Sequence, residues 1–302
     1  RIARDAGRPL FRRTGGLMLG PPGGELVAGA IQSAETHGLP YEVLDPPQVR
    51  RRFPVFAVDE GNVAVLEPRA GFLDPEAAVA SCLALAVRDG ATVLDRTVAT
   101  GWRRAGDAVV VGTDGGEVSC GRLILAAGPW LPALVEGAGL PLAVERQVMG
   151  WFAPADPPGA LGPDAMPVFI WEWESGRFFY GIPDHGPGLK LARHHEGVPT
   201  TPETVDRAPR PDDIEPLERL HRRFLPGRVG ALREAAVCLY TNTPDRHFVL
   251  GPWPGEPRVL LASPCSGHGF KFASALGEVL ADLATGVVPG FDLTPFRPDR
   301  FA

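Results

Sequence analysis

The feature that most constrains how this chain folds is a strand, a turn and a helix within residues 259–283. Val259–Ala262 is an apolar run too short for a helix, and it predicts a buried strand. Beyond the turn, apolar residues recur every three or four positions up to Leu283, and Gly286 follows. This spacing predicts an amphipathic helix that ends at the glycine.

The turn itself reads Ser266-Gly267-His268-Gly269. Two glycines around one histidine allow a ligand to approach the backbone closely, and the start of the helix offers unpaired N–H groups. The turn therefore predicts a site for a negatively charged group. It lacks the P-loop pattern, because Lys271 is followed by Phe272 and not by serine or threonine. A tight turn without a ligand is the alternative interpretation.

Three blocks of the sequence resemble one protein family. Ser266–Phe272, followed by the helix with Gly277-Glu278-Val279-Leu280, resembles the C-terminal flavin-contacting segment of the monomeric sarcosine oxidase and N-methyltryptophan oxidase family, within the D-amino-acid-oxidase-like flavoproteins. Ala236–Phe248 resembles the family's segment with the cysteine that is bonded to FAD, and Gly188–His194 resembles its lysine strand. The blocks occur in the family's order, and weaker similarity covers nearly the whole chain.

The resemblance implies an α/β (α+β) fold with two lobes. Residues 1–73 and 141–243 would form a substrate lobe on a mainly antiparallel sheet, and residues 74–140 and 244–302 a Rossmann-like FAD-binding lobe. The strand, G-x-G-x-x-G turn and helix that bind a dinucleotide pyrophosphate do not occur in this sequence. Because the family begins with that unit, we expect the sequence to start after it, so that the FAD lobe lacks its first βαβ unit.

Cys238 lies in an apolar, alternating segment, where a cysteine is most often a small buried hydrophobic residue. By the resemblance it matches the cysteine whose sulfur is joined to the flavin, which implies FAD held covalently through Cys238. Cys265 lies near His268 without further candidate ligands, and we expect it to be structural.

Lys190 lies between two leucines on a predicted strand, where it is either at a sheet edge or a buried cation with a function. The resemblance implies oxygen activation over the flavin, because a fixed positive charge stabilises developing superoxide. It also implies that His194, Tyr180 and Tyr240 are substrate-site residues, although core tyrosines with satisfied hydroxyl groups are the alternative. Alternation along the strand predicts that His195 faces away from His194.

His268 and Lys271 lie in and just after the glycine turn, and we expect both to reach the flavin side. The resemblance implies that Lys271 binds the substrate carboxylate as a point charge. It also implies that Gly267, Gly269 and Phe270 contact the cofactor.

Leu123–Ala126 predicts a buried strand that leads into Ala127, Gly128 and Trp130. Small residues allow a strand end to touch a nucleotide, and the resemblance implies a second dinucleotide contact here, with Val98 near the adenine. Close packing of the strand against the following helix is the alternative.

Periodicity and turn residues predict the remaining elements. Helices are predicted at 25–37, from 46, and at 76–87, 131–135 and 217–224. Strands are predicted at 11–19, 63–66, 91–94, 97–99, 107–111, 117–120, 147–152, 168–173, 178–181 and 189–193. Asp74 followed by Pro75 predicts a helix start, and Asp114-Gly115-Gly116 predicts a hairpin.

The chain has 302 residues and a net charge of −6, which argues against a nucleic acid or an anionic membrane as partner. No apolar run approaches the roughly 18 residues of a transmembrane helix. The four cysteines show neither a disulfide framework nor paired zinc-ligand spacing. We therefore expect no metal, a reduced cytoplasmic setting and a monomer.

Together these observations predict a FAD-dependent amine oxidase that acts on N-methyl or cyclic secondary amino acids, uses O₂ and releases H₂O₂. A flavin amine dehydrogenase with another electron acceptor is one alternative. The other is an inactive fragment that does not bind FAD.

Overall fold

The computed structural model describes residues 1–155 and 159–301. Its helices are α1 (Ile2–Asp5), α2 (Glu25–Thr36), α3 (Pro46–Arg52), α4 (Pro75–Arg88), α5 (Leu131–Leu134), α6 (Pro211–Phe224) and α7 (Ala273–Thr285). Its strands are β1 (Phe11–Arg13), β2 (Gly16–Gly20), β3 (Glu42–Leu44), β4 (Val63–Glu67), β5 (Gly71–Leu73), β6 (Ala99–Ala105), β7 (Ala108–Thr113), β8 (Gly116–Cys120), β9 (Leu123–Leu125), β10 (Ala143–Pro154), β11 (Val168–Glu174), β12 (Arg177–Ile182), β13 (Leu189–His194), β14 (Val198–Pro199), β15 (Val229–Asn242), β16 (Val249–Trp253) and β17 (Glu256–Ser263).

The chain forms two compact units. Unit 1 comprises Arg1–Val79, Arg146–Val198 and Asp206–Cys238, and unit 2 comprises Ala80–Glu145, Pro199–Val205 and Leu239–Ala302. Residues 74–79, which were expected in the FAD-binding lobe, belong to unit 1, and residues 141–145, 199–205 and 239–243, which were expected in the substrate lobe, belong to unit 2.

Unit 1 is built around a nine-stranded sheet with the strand order β14-β10-β13-β12-β11-β2-β4-β3, in which β15 also pairs with β10. Strands β10, β13, β12 and β11 pair antiparallel in succession. Strand β2 is parallel to β11 and antiparallel to β4. The mainly antiparallel sheet predicted from the sequence is confirmed.

One face of this sheet is buried by an aromatic core. Trp171, Phe179 and Phe224 are almost completely buried, and the Trp171 and Phe224 rings lie 4.4 Å apart between centroids. Helix α6 adds Ile214 and Leu217 to the same cluster. Because burial of aromatic surface is strongly favourable, this cluster fixes how α6 lies against β11 and β12.

Helix α6 begins earlier than the predicted 217–224. Both carboxylate oxygens of Asp213 bind the Arg146 guanidinium at 2.8 Å, and one accepts the Arg210 N–H at 2.8 Å. These bonds hold the first turn, which starts at Pro211. The sequence pattern did not predict this turn, because Pro216 lies inside the helix and a proline normally interrupts a helix.

Other helix starts agree with their predicted caps. The Asp45 side chain accepts the Gln48 N–H at 2.7 Å, while the Gln48 side chain accepts the Asp45 N–H at 2.8 Å. The Asp74 carboxylate accepts the Ala77 N–H at 2.9 Å at the start of α4. Each bond satisfies an N–H group that has no partner within the helix.

Helix α2 takes its cap from a neighbouring strand. Its N-cap residue is Gly24, and the buried Glu172 of β11 accepts the Leu26 N–H at 3.1 Å. A Cβ atom at Gly24 would collide with that carboxylate. A negative group at a helix N-terminus is favourable, so Glu172 ties α2 to the sheet.

Unit 2 contains two small three-stranded sheets. Strands β6, β7 and β8 pair antiparallel, and β7 with β8 forms the predicted hairpin around Asp114-Gly115-Gly116. In the other sheet, β17 pairs antiparallel with β16 and parallel with β9. A cluster that includes Val109, Leu125, Leu131 and Val259 forms the core beside them.

The strand predicted at 91–94 is wrong. None of the strands that the structure describes pairs with these residues, and Leu94 is 59% exposed. An apolar run becomes a strand only where a neighbouring strand takes its backbone hydrogen bonds. The next strand, β6, begins at Ala99 and pairs with β7.

The strand, turn and helix predicted within residues 259–283 are confirmed. Strand β17 contains the predicted apolar run, a 3₁₀ turn covers Phe270–Phe272, and α7 follows. Gly286 ends α7 with a left-handed φ of 79°, and the Val287 N–H donates to the Asp282 carbonyl at 2.8 Å. This is the glycine-dependent ending that the sequence indicated.

Candidate active site

The predicted site residues fall into two groups. Four lie in unit 1, namely Lys190, His194, Tyr180 and Cys238. Ten lie in unit 2, namely Tyr240, His268, Lys271, Val98, Ala127, Gly128, Trp130, Gly267, Gly269 and Phe270. Each group is described within its own unit.

In unit 1, Lys190 lies on the partly exposed face of the nine-stranded sheet, opposite the face that the aromatic core buries. Its strand alternates between this face and the core, since Leu189 and Leu191 are fully buried whereas Lys190 is half-buried. Lys190 is paired with Trp151 of β10 on one side and Ile182 of β12 on the other. Residues paired in this way present their side chains to the same face, so this face combines a lysine with apolar and aromatic surface.

The Lys190 ammonium lies over the Trp151 ring, with Nζ 5.4 Å from the ring centroid. Burial lowers the pKa of Lys190, while the nearby Cys238 and Glu76 side chains act in the opposite direction. The side chain is therefore a partly desolvated cation on a rigid strand. The sequence left two alternatives for Lys190, a lysine at a sheet edge or a buried cation with a function, and this environment favours the second.

Cys238 is half-buried on β15. Burial raises the pKa of its thiol, and the positive charge of Lys190 opposes that change. The structure thus brings two predicted residues, 48 positions apart in sequence, near enough to interact electrostatically.

Tyr180 and His194 lie on the same sheet face as Lys190. Their ring centroids are 6.3 Å apart, and the rings meet edge to face. His195 does not turn away from His194 as alternation predicted, because the two rings lie 4.1 Å apart between centroids. The strand ends at His194, and His195 has a left-handed φ of 58°, which breaks the alternation.

In unit 2, both glycines of the predicted turn are required by their neighbours. Gly267 has a left-handed φ of 75°, and a Cβ atom there would collide with the Tyr240 ring. A Cβ atom at Gly269 would collide with the Pro264 carbonyl oxygen. The turn therefore needs both glycines for its own packing, whether or not a ligand approaches it.

His268 is fixed within this turn. Its Nδ1 lies 2.8 Å from the Ser266 carbonyl oxygen, so Nδ1–H is the donor of this hydrogen bond. The ring stacks on Phe248 with centroids 4.9 Å apart. Burial lowers the pKa of the imidazole, the hydrogen bond to Ser266 acts in the opposite direction, and Lys271 adds to the lowering. The neutral form is therefore favoured, and in that form Nε2 is a hydrogen-bond acceptor.

Lys271 lies close to this histidine in a cavity of about 480 Å³. Burial lowers the pKa of its ammonium, which lies 5.4 Å from the centroid of the Phe272 ring. The remaining cavity wall is largely apolar and comes from His247, Phe248, Leu250, Phe272, Ala275, Leu276, Val279, Phe291, Asp292, Leu293 and Phe296. A lysine and a neutral histidine in apolar surroundings suit a ligand with an anionic group.

The residues predicted to contact the cofactor in unit 2 are mostly accessible. Val98, Trp130 and Phe270 are exposed, and Gly128 has a left-handed φ of 54°. Ala127 is partly buried against the core cluster of this unit. Strand β9 therefore leads into small residues, as the sequence predicted, but the strand is not buried as expected, because only Leu125 is buried and Ile124 is exposed.

The amino-acid composition contains a further signal. The chain has 30 lysine and arginine residues, and only Lys190 and Lys271 are lysines. Lys190 is half-buried and Lys271 is an exposed residue in the cavity wall, and desolvation lowers the pKa of both ammonium groups. A compact, titratable ammonium differs from a guanidinium, so these two positions are candidates for a role that arginine does not fill.

Two classes of site find no support in the part of the chain that the structure describes. No group of three or more histidine, cysteine, aspartate or glutamate side chains is arranged to hold a metal ion there. None of the helices in those residues is both long enough and apolar enough to span a membrane.

Comparisons with known proteins identify the family. The family model for FAD dependent oxidoreductases, DAO, matches residues 1–283. Monomeric sarcosine oxidase from Streptomyces avermitilis is 39% identical over all of this chain and 79% of its own length. N-methyl-L-tryptophan oxidase from Citrobacter koseri is 34% identical over 97% of this chain and 78% of its own length.

Solved structures show the same fold at lower identity. NikD, an unusual amino acid oxidase essential for nikkomycin biosynthesis, superposes with a TM-score of 0.81 at 22% identity, over 98% of this chain and 79% of its own. L-proline dehydrogenase from P. horikoshii superposes with a TM-score of 0.84 at 20% identity, over 99% and 79% of the two chains. With the match of the family model to residues 1–283, the chain belongs to the FAD dependent oxidoreductase family.

Proposed function

We propose that this protein oxidises N-methyl or cyclic secondary amino acids with FAD and O₂, giving an imine that hydrolyses to an aldehyde, and H₂O₂. One observation carries the proposal most directly. The two lysines of the chain both lie in segments that resemble sarcosine oxidases, Lys190 half-buried on the sheet of unit 1 and Lys271 in the wall of the cavity of unit 2. Relatives with 34–39% identity are named for sarcosine and N-methyl-L-tryptophan oxidation.

The residues present fit FAD as the bound group. Asn242, four residues after Cys238, is buried, and both polar atoms of its amide lack a partner among the described residues. An unsatisfied buried polar group costs about 1–3 kcal/mol, so a bound molecule or ordered water is expected to complete it. Cys238 would hold the flavin covalently, and Gly267, Gly269 and Phe270 would line it. When bound, FAD supplies the two-electron acceptor for the amine and passes the electrons to O₂.

Ala127, Gly128, Trp130 and Val98 would line the nucleotide part of the cofactor. Glycine and alanine leave room for a nucleotide near the backbone, and Trp130 and Val98 offer exposed apolar surface. This assigns the nucleotide-binding role to unit 2.

Lys190 would act on oxygen. Reduction of O₂ creates negative charge, and a fixed ammonium on a rigid strand stabilises that charge as it appears. A lysine suits this role because its charge is compact and needs no reorientation. The proximity of Lys190 to Cys238, the residue proposed to carry the flavin, supports the assignment.

Lys271 and His268 would orient the amino acid. Lys271 would bind the carboxylate, which is the remaining charge of a substrate whose amine is neutral. His268 Nε2 would accept a hydrogen bond from a donor on the ligand, because Nδ1–H already donates to Ser266. Tyr180, His194 and Tyr240 would complete the substrate site.

The covalent link is tested with two cysteine variants of the flavin-loaded protein. Both Cys238 and Cys265 are half-buried thiols whose pKa is raised by burial, which makes them a matched pair. After acid precipitation, we expect a yellow pellet from wild type and Cys265→Ser, and a colourless pellet from Cys238→Ser. A yellow pellet from Cys238→Ser contradicts the link.

The oxidase reaction is tested by the measurement of H₂O₂ in air with sarcosine, N-methyltryptophan and proline. Stoichiometric H₂O₂ supports an oxidase. Substrate-dependent reduction of an artificial electron acceptor without H₂O₂ favours the dehydrogenase alternative, and a purified protein without flavin favours the inactive fragment.

The proposal further includes a monomer with an amino acid and O₂ as its partners, in the cytoplasm.

A further inference from the structure

We propose that Trp151 is a positioning residue for Lys190: its ring face holds the ammonium in place and keeps it charged on the open face of the sheet. The proposal rests on the proposed function, because it concerns the oxygen-reacting role of Lys190. It adds a residue that lies outside the three sequence blocks of the family resemblance.

The backbone fixes the two side chains beside each other. Trp151 on β10 and Lys190 on β13 are paired in the antiparallel ladder, so their side chains leave the sheet on the same face. Lys190 Nζ lies 5.4 Å from the Trp151 ring centroid. Cations within about 6 Å of a ring centroid are attracted by its negative face, and tryptophan is the strongest of the aromatic residues.

The ring differs from the other groups around Lys190. Burial works against the charged form, and the groups that favour it are the Cys238 thiol from β15 and the Glu76 carboxylate from α4. Tyr180 from β12 and His194 from β13 share the face. Glu76, Tyr180 and His194 can change their protonation, and Cys238 can do so only while it is not joined to the flavin. The indole face cannot, so it favours the ammonium at every pH at which the enzyme works.

A second cation–π pair in the same sheet provides a matched control. Arg177 lies over the Trp173 ring, with its guanidinium carbon 4.2 Å from the centroid. Arginine does not lose its proton in proteins, so loss of that ring has no effect on a titration near neutral pH. Trp173→Leu therefore removes a comparable contact without touching Lys190.

The two-lysine composition allows a direct measurement. With ¹³C,¹⁵N-lysine as the label, the side-chain NMR spectrum holds signals from Lys190 and Lys271 alone, and Lys190→Met identifies which is which. At a fixed pH we expect Trp151→Leu to lower the ratio of charged to neutral Lys190 by about three- to tenfold. Trp151→Phe should give an intermediate value, and Trp173→Leu the wild-type value.

The same variants are then compared as flavin-loaded enzyme. We expect the pH profile of the reaction with O₂ to shift toward lower pH in the order wild type, Trp151→Phe, Trp151→Leu, while flavin reduction by substrate keeps its profile. If Trp151→Leu does not fold, Trp151→Phe retains the packing and still reports the trend.

The outcomes separate this inference from the proposed function. An unchanged or increased charged fraction of Lys190 in both Trp151 variants overturns the inference, whatever the enzyme does. A reduced charged fraction with no effect of Lys190→Met on the O₂ reaction overturns the oxygen-reacting role of Lys190 and, with it, the positioning role of Trp151.

Discussion

Unit 1 and unit 2 bury their apolar residues to different degrees. In unit 1, one continuous cluster includes Trp171, Phe179 and Phe224 between the sheet and α6. In unit 2, the core consists of two smaller clusters. Of the eighteen large apolar side chains that are exposed in the described residues, thirteen belong to unit 2.

The two units also differ in the surface that they leave exposed. Single exposed apolar side chains are normal on a protein surface, whereas a contiguous apolar patch marks a binding site. In unit 2 the exposed apolar side chains include Val98, Trp130 and Phe270, for which the family resemblance implies contact with the cofactor. In unit 1, one face of the sheet is partly exposed, and the aromatic core buries the other face. The comparison indicates that folding stability resides mainly in unit 1, whereas unit 2 holds more surface that is available to a bound molecule.

The largest expected effect tests where stability resides. Phe224→Ala should lower the free energy of unfolding by about 3–5 kcal/mol, because Phe224 is 1% exposed and packs against Trp171. Phe291→Ala in unit 2 is the matched control. Phe291 is 64% exposed, so we expect a change within about 0.5 kcal/mol. Urea denaturation of the flavin-free protein measures both, and equal losses would contradict the comparison.

The next effect concerns chemistry in unit 1. In the flavin-loaded enzyme, Lys190→Met should slow the reaction with O₂ by about 10²–10³-fold, because one fixed charge is lost where negative charge develops. Flavin reduction by substrate should change little. Stopped-flow measurement of the two half-reactions decides this. Equal slowing of both half-reactions would show that Lys190 has a general structural role.

A smaller effect concerns ligand binding in unit 2. Lys271→Ala should weaken the binding of carboxylate inhibitors by about ten- to a hundredfold, because a charged hydrogen-bond donor is lost from apolar surroundings. Inhibitors without a carboxylate should bind as before. Titration of the flavin absorbance with both classes gives the answer. If both classes weaken equally, Lys271 supports the cavity wall and does not bind the carboxylate.

The smallest effect is a pH dependence of stability in unit 2. Arg300 binds both oxygens of Asp245, at 2.7 and 3.0 Å, and holds the pKa of that carboxyl well below its usual range. Such a carboxyl contributes stability above the pKa of the unfolded chain, near 4, and loses it as the pH falls further. Asp245→Asn should therefore lower stability by about 1 kcal/mol at pH 7.

The same difference should shrink as unfolding is measured at progressively lower pH below about 4. Asp299→Asn is the control, since Asp299 pairs with Arg297 at the exposed surface and should have a smaller effect. A difference for Asp245→Asn that stays constant down to pH 2.5 would contradict the electrostatic explanation.

Much of the local structure could be predicted from the sequence. The helix start at Asp74, the hairpin at Asp114-Gly115-Gly116 and the glycine ending of α7 depend on residues a few positions apart, so their patterns are visible in sequence. The predictions that were wrong depended on the partners and the ends of the elements, which a local pattern does not show. Residues 91–94 lack a pairing strand, α6 starts at a turn held by Arg146, and His195 bends where its strand ends.

By itself the sequence determined the family, the order of the elements and the candidate residues, because these rest on residue types and short spacings. Only the tertiary structure decided that Lys190 lies over Trp151 and near Cys238, and that Glu172 caps α2. Such pairs join strands and helices far apart in the chain. Their contact depends on sheet register and on which face is buried, and no local pattern records either of these.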